Sequence, residues 1–130
     1  MRASVRTVVT DTDTAIAAGS GDVPVLATPR LLALAEAATV RAVAPGLADG
    51  QTSVGTSATV EHMRASLVGA DVTVEAELTE VDGRRLTFRF TAWQAAPAGS
   101  EDGGRATIGS GTVARAVVDT EKFLRRAAAP

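Results

Sequence analysis

The chain has no cysteine, no tyrosine, one histidine, one tryptophan and three phenylalanines in 130 residues. Without cysteine it builds neither a disulfide framework nor a thiolate metal site. One histidine is too few for a histidine-rich metal centre within one subunit, so no metal and no cofactor is expected. Aromatics at 3% leave the core to alanine and branched aliphatics. A net charge of −2 gives no basic footprint for nucleic acid and no polybasic patch for a membrane surface. The most apolar stretch, Leu31 to Ala44, is broken by Glu36 and Arg41 and is too short to span a bilayer. The opening MRASVRTVVTDTDTAIAAG alternates polar and apolar residues and lacks the continuous apolar stretch of a signal peptide. The cytoplasm is the expected compartment.

What is present is 45% hydrophobic residue content, enough for one globular domain over residues 1–130 that buries roughly two-thirds of its unfolded surface. Residues 3–10 alternate and predict a strand. Residues 11–27 predict a loop with a helical turn near Thr14–Ala18. Thr28-Pro29 is a helix start, threonine as N-cap and proline at the first helical position, and Pro45-Gly46 stops the helix after about Val43. After Gly50 the period becomes two: Thr52, Val54, Thr56, Ala58, Val60 and His62 share one predicted strand face. Val72, Val74, Ala76 and Leu78 share another, Asp82-Gly83 is a hairpin turn, and Leu86, Phe88 and Phe90 point inward on the return strand. A polar loop over 95–105, a strand over Thr107–Val118 and a short helix capped by Asp119 and ending at Arg125-Arg126 complete the pattern. This is an α+β order, one long helix and about five strands, with the antiparallel sheet curled around the helix.

Three residue types stand out: a hydroxyl at Thr28, a carboxylate at Glu36 and the lone imidazole of His62, the groups that acyl transfer requires. Arg30 and Arg41, three helical turns apart, mark the solvent stripe of the helix, and Glu36 lies about 120° from it among Leu32, Ala33, Thr39 and Val40. Glu36 is therefore expected to face the interior or an interface, where burial would perturb it. His62 shares the inward parity of Val60 at a strand end. Gly55 interrupts its strand and predicts a bulge or a close approach of backbone to ligand. The clusters Gly103-Gly104 and Gly109-Ser110-Gly111 match no phosphate loop and read as turns and bulges. Arg84-Arg85 and Arg125-Arg126 read as solvated faces.

The strings VLATPRLLALAEAA, SVGTSATVEH and VTVEAELTEVDGRRLTFRFTA together resemble the fluoroacetyl-CoA thioesterase-like branch of the hotdog superfamily, over roughly residues 20–95. The resemblance implies a hotdog fold, thioester hydrolysis, and a catalytic set of Thr28, Glu36 and His62, with Gly55 and Arg89 contacting substrate. Parity places Arg89 on the outer sheet face, within reach only of an extended ligand or a partner subunit. The resemblance further implies a homodimer whose sheets pair edge to edge, with active sites at the interface. The geometry of the helix agrees in one respect: eight residues rise about 12 Å, too far for Thr28 and Glu36 to touch. The expected activity is hydrolysis of a small acyl-CoA thioester, with acyl-CoA as the partner. A hotdog enoyl-CoA hydratase is less favoured, because it needs an Asp/His pair on the helix, and a non-catalytic acyl-CoA or small-molecule binding protein would not need His62. The segment 11–27 carries no Phe, Tyr or Trp, so it offers no bulky lid to favour a fluoroacetyl over an acetyl group.

Overall fold

The computed structural model describes residues 1–96 and 104–129. In chain order these form β1 (Arg2–Val8), a one-turn α1 (Ala15–Ala18), the long α2 (Thr28–Val43), β2 (Gln51–His62), β3 (Asp71–Asp82), β4 (Arg85–Ala95), β5 (Arg105–Asp119) and α3 (Thr120–Ala128). All strand pairings are antiparallel, and the sheet order is β1-β3-β4-β5-β2. The helix α2 lies across one face and touches every strand, β1 and β3 most. Part of the loop expected at 95–105 lies outside the described residues.

The alternation read from the sequence is what buries the core. Val72, Val74 and Ala76 of β3 and Leu86, Phe88 and Phe90 of β4 turn toward α2, which answers with Leu31, Leu34, Ala35, Ala38, Ala42 and Val43. Each large aliphatic or phenylalanine so placed contributes about 1.5–3 kcal/mol. Alanine at three of the helix positions lets the helix approach the sheet closely, which is how a chain poor in aromatics reaches normal packing density. The opposite sheet face is polar. On it Arg2 pairs with Glu75 and Glu77, and Arg6 with Asp71.

Strand β2 departs from the expected pattern. Its pairing with β5 slips at Thr56, so that Gly55 opposes Arg115 and Ser57 opposes Ala114. Thr56 is a β-bulge, and its hydroxyl donates to the Ala114 carbonyl at 3.2 Å. The bulge reverses parity. Ala58, Val60 and His62 do face the helix, opposing Val113, Gly111 and Gly109, but the residue that joins them upstream is Gly55, while Thr52 and Val54 fall on the outer face. In a regular strand residues seven apart would point to opposite faces.

Gly109 and Gly111 are not turn residues. They lie within β5, where an added Cβ would meet Glu61 backbone and Leu31 at one position, Thr59 backbone and the Phe90 ring at the other. Their emptiness makes room for the helix and for Phe90.

Candidate active site

The first half of the site forms where α2 begins. The N-cap is Ala27, in extended conformation, and Thr28 is the first helical residue. The expectation of a Thr28 cap is therefore corrected: its hydroxyl does not serve the helix end. It lies 2.8 Å from His62 Nδ1 instead. The chain is held just beyond His62, because the amides of Met63 and Arg64 both donate to the Ile108 carbonyl, at 2.8 and 3.1 Å. His62 Nε2 is buried and has no hydrogen-bond partner among the described residues. Burial lowers the imidazole pKa below its ordinary 6.5, with a smaller opposing contribution from the Arg64 backbone, so the ring is neutral near pH 7. Beside the pair opens a cavity of about 290 Å³ whose walls include Val23, Val25, Leu26 and Met63. The segment between α1 and α2 thus supplies aliphatic walls and no aromatic lid.

The second half forms one face further along α2. Glu36 Oε2 lies 3.6 Å from Arg115 Nη1, and a Cβ on Gly55 would stand 2.6 Å from that same oxygen. Only glycine leaves the carboxylate this space. Glu36, Gly55, Thr56, Ser57 and Ala58 line a shallow cavity of about 190 Å³. Glu36 is less buried than its helical neighbours suggested: its side chain is 42% exposed in the single chain, whereas that of Arg115 is 7% exposed. Arg115 donates to Ser53 through Nε, to the hydroxyl at 2.8 Å, and through Nη2, to the carbonyl at 2.9 Å. Burial pulls the Arg115 pKa below the ordinary guanidinium value, and Glu36 pulls it back up.

Within one chain the two halves do not meet. From Gly55, against Glu36, to His62 is seven strand residues, roughly 20 Å. Of the expected residues, the structure joins Thr28 to His62 and Glu36 to Gly55. Arg89 joins neither. It is exposed on the outer face, opposite Glu77 and Thr112. The arginine that reaches the site is Arg115, which the sequence reading passed over. The signal was there: Arg115 holds the inward parity between Val113 and Val117, where a charge needs a partner. Arg30 is half-exposed, as expected of the solvent stripe, and its Nε donates to Asp13 at 2.8 Å.

Comparison with known proteins decides the family. Residues 9–121 match the family model of FlK, the fluoroacetyl-CoA-specific thioesterase. The chain belongs to this family. It is 46% identical over 99 residues to the fluoroacetyl-CoA thioesterase of Streptantibioticus cattleyicolor, a match covering 76% of this chain and 65% of that protein. A solved structure of the fluoroacetyl-CoA thioesterase FlK superposes with a TM-score of 0.82 at 37% identity, covering 100% of this chain and 96% of that one. A thioesterase superfamily member from Thermus thermophilus superposes at 0.83 with 25% identity over 98% and 90% of the two chains. The sheet curled around one helix is thus the hotdog fold. The described residues contain no helix long and apolar enough to cross a membrane.

Proposed function

We propose that this hotdog domain, residues 1–130, is a cytoplasmic acyl-CoA thioesterase acting as a homodimer, with Glu36 of one subunit completing the Thr28–His62 pair of the other. The observation that carries this reading is the separation of two well-built halves that are chemically useless apart. The free edge of β2 supplies the means of joining them. Twelve residues long, it offers QTSVGTSATVEH, with one charge, no proline and no lysine, so apart from the bulge at Thr56 it lacks the features that protect edges against pairing. The other edge, β1, is seven residues long and carries Arg2 and Arg6. Antiparallel pairing of two β2 strands would lay the Gly55 region of one chain toward the His62 end of the other and enclose the half-exposed Glu36.

In the mechanism, the thioester carbonyl lies at the N-terminal end of α2, where backbone amides stabilise a developing oxyanion. Glu36 removes a proton from water and the hydroxide adds to the carbonyl carbon. The tetrahedral intermediate collapses and the C–S bond breaks, while neutral His62 accepts the proton of the intermediate's hydroxyl and passes it to the departing thiolate, and Glu36 returns its own proton to solvent. Thr28 fixes the imidazole through Nδ1. Arg115 holds the Glu36 carboxylate against Gly55. Arg89 stands outside this chemistry and serves only a ligand or subunit that reaches the outer face.

The relatives named for fluoroacetyl-CoA set the substrate to test first. Because the aliphatic cavity walls lack a bulky lid, selectivity should rest on modest contact differences of about 1–3 kcal/mol. Thiol release from acetyl-, fluoroacetyl-, propionyl- and butyryl-CoA, corrected for intrinsic reactivity, should show turnover without marked fluoroacetyl preference. A corrected preference above about a thousandfold, ~4 kcal/mol, would overturn the open-pocket reading, and no release from any of them would overturn the activity.

A further inference from the structure

A third cavity lies where α3 leaves the sheet, and nothing in the mechanism uses it. It measures about 300 Å³ and its walls include Gln51, Arg84, Lys122, Phe123 and Arg126, with Asp119 at the base. Three cations converge on it in a chain whose net charge is −2. Elsewhere Arg2, Arg6, Arg30, Arg115 and Arg125 each face a carboxylate, and Arg41, Arg64, Arg85, Arg89 and Arg105, without one among the described residues, do not line this cavity. Among the described residues Arg84, Lys122 and Arg126 have no carboxylate within 4.0 Å. Asp119, the one acid in the wall, accepts from the Lys122 amide at 2.9 Å as the α3 cap. The cavity therefore presents a concave, positively charged surface with an aromatic side chain in its wall, suited to phosphate groups.

Its position relates it to the thioester site. On β2 and β5 the helix-facing cross-strand pairs run Gly55 with Arg115, Ser53 with Val117, and Gln51 with Asp119. The first pair adjoins Glu36 and the last lines the cavity. The spacing is four strand residues, about 13 Å, along one face of one strand pair. In CoA the sulfur is separated from the nearest phosphorus by about thirteen bonds, roughly 15 Å when extended at ~3.5 Å per three bonds. We propose that this cavity binds the phosphate-bearing end of the CoA thioester through Arg84, Lys122 and Arg126, while its sulfur lies beside Glu36. This rests on the thioesterase reading. It deepens that reading by making the carrier CoA itself and not a carrier protein, whose pantetheine ends in a single phosphodiester.

The test is steady-state thiol release by the full chain with three small thioesters of one acyl group, acyl-CoA, acyl-dephospho-CoA and acyl-pantetheine, and with the same acyl group carried on an acyl carrier protein. Every residue of α3 is exposed, so Lys122→Glu and Arg126→Glu leave the core untouched. The expected result is a rise in KM of about tenfold or more for acyl-CoA. The rise is smaller for acyl-dephospho-CoA, absent for acyl-pantetheine, and accompanied by little change in kcat. Arg126→Lys should restore most of the affinity. An equal KM rise with all three small substrates would overturn the proposal, as would an unchanged KM for acyl-CoA. An effect confined to an acyl carrier protein thioester would assign the surface to a protein partner and overturn it too. Inorganic phosphate that binds the cavity without competing with acyl-CoA would show a free-anion site instead. If the wild type releases no thiol from any substrate, the thioesterase reading fails separately. Calorimetric titration with CoA and dephospho-CoA then still decides the phosphate site, because binding must weaken in Arg126→Glu.

Discussion

The two ends of the α2–β2 contact are built on opposite principles. At one end Thr28 and His62 are neutral, joined by a direct 2.8 Å hydrogen bond and set beside an aliphatic cavity. At the other, Glu36 and Arg115 are a charged pair at 3.6 Å, and the carboxylate occupies a space that only glycine can leave. The neutral end is organised for moving a proton from a fixed ring. The charged end is organised for holding an anion ready beside a backbone. The proposed hydrolysis uses both, and the fold keeps them apart within one chain, which is why the proposed site is shared between subunits.

The sharpest way to break this comparison is to remove one end. His62→Ala and Glu36→Gln should each lower kcat by about 10²–10⁴, the range for loss of a general acid or base. His62→Ala should leave the melting temperature unchanged. Glu36→Gln should lower it slightly, because Arg115 loses its ionic partner but keeps Ser53. A large loss of stability in either variant would make the residue structural. Mixing the two dead variants under conditions of subunit exchange should then recover about a quarter of the wild-type rate. Random pairing makes half the dimers mixed, each with one intact site of two. No recovery in a mixture shown to exchange would place all three residues in one chain's site.

A smaller effect is expected from crowding the charged end. Gly55→Ala puts a Cβ 2.6 Å from the carboxylate oxygen, and displacing a base by about an ångström costs roughly a hundredfold in kcat. An unchanged kcat would show that Glu36 acts from another rotamer. The smallest effect is in the neutral end's titration. Burial holds the His62 pKa below 6.5, so the acidic limb of kcat/KM should have its midpoint below pH 6.5. The stability linkage has the same sign. The unfolded imidazole takes up its proton first as pH falls, so stability is lost between 6.5 and the lower folded value. A limb at or above pH 6.5 would mean that the ring is not desolvated in the working enzyme.

Much of this was legible from residue order alone. The strands β3 and β4, the helix stop at Pro45-Gly46 and the Asp119 cap follow from period-two burial and from terminus chemistry that is local in sequence. Local patterns failed where two distant segments compete for one group. Thr28 has every qualification for an N-cap, yet its hydroxyl is taken by His62, thirty-four residues away, and the cap passes to Ala27. Arg115 was hidden because an arginine in a strand is ordinarily at the surface, and only the register with Gly55 shows what it faces. The paired glycines Gly109 and Gly111 resembled a turn because their role is defined by Leu31, Phe90 and the β2 backbone, not by their own dihedral angles.

The bulge at Thr56 acts on β2 as a frameshift acts on a message. Upstream of it the odd-numbered residues face the helix; downstream the even-numbered ones do. One strand therefore presents Gly55 and His62, seven positions apart, to the same side. Were Thr56 paired as an ordinary ladder residue, with no bulge, strict alternation would return and one half of the strand would turn inside out. The two ends of the proposed catalytic face would then lie on opposite sides of the sheet, with every one of its side chains still present in the chain.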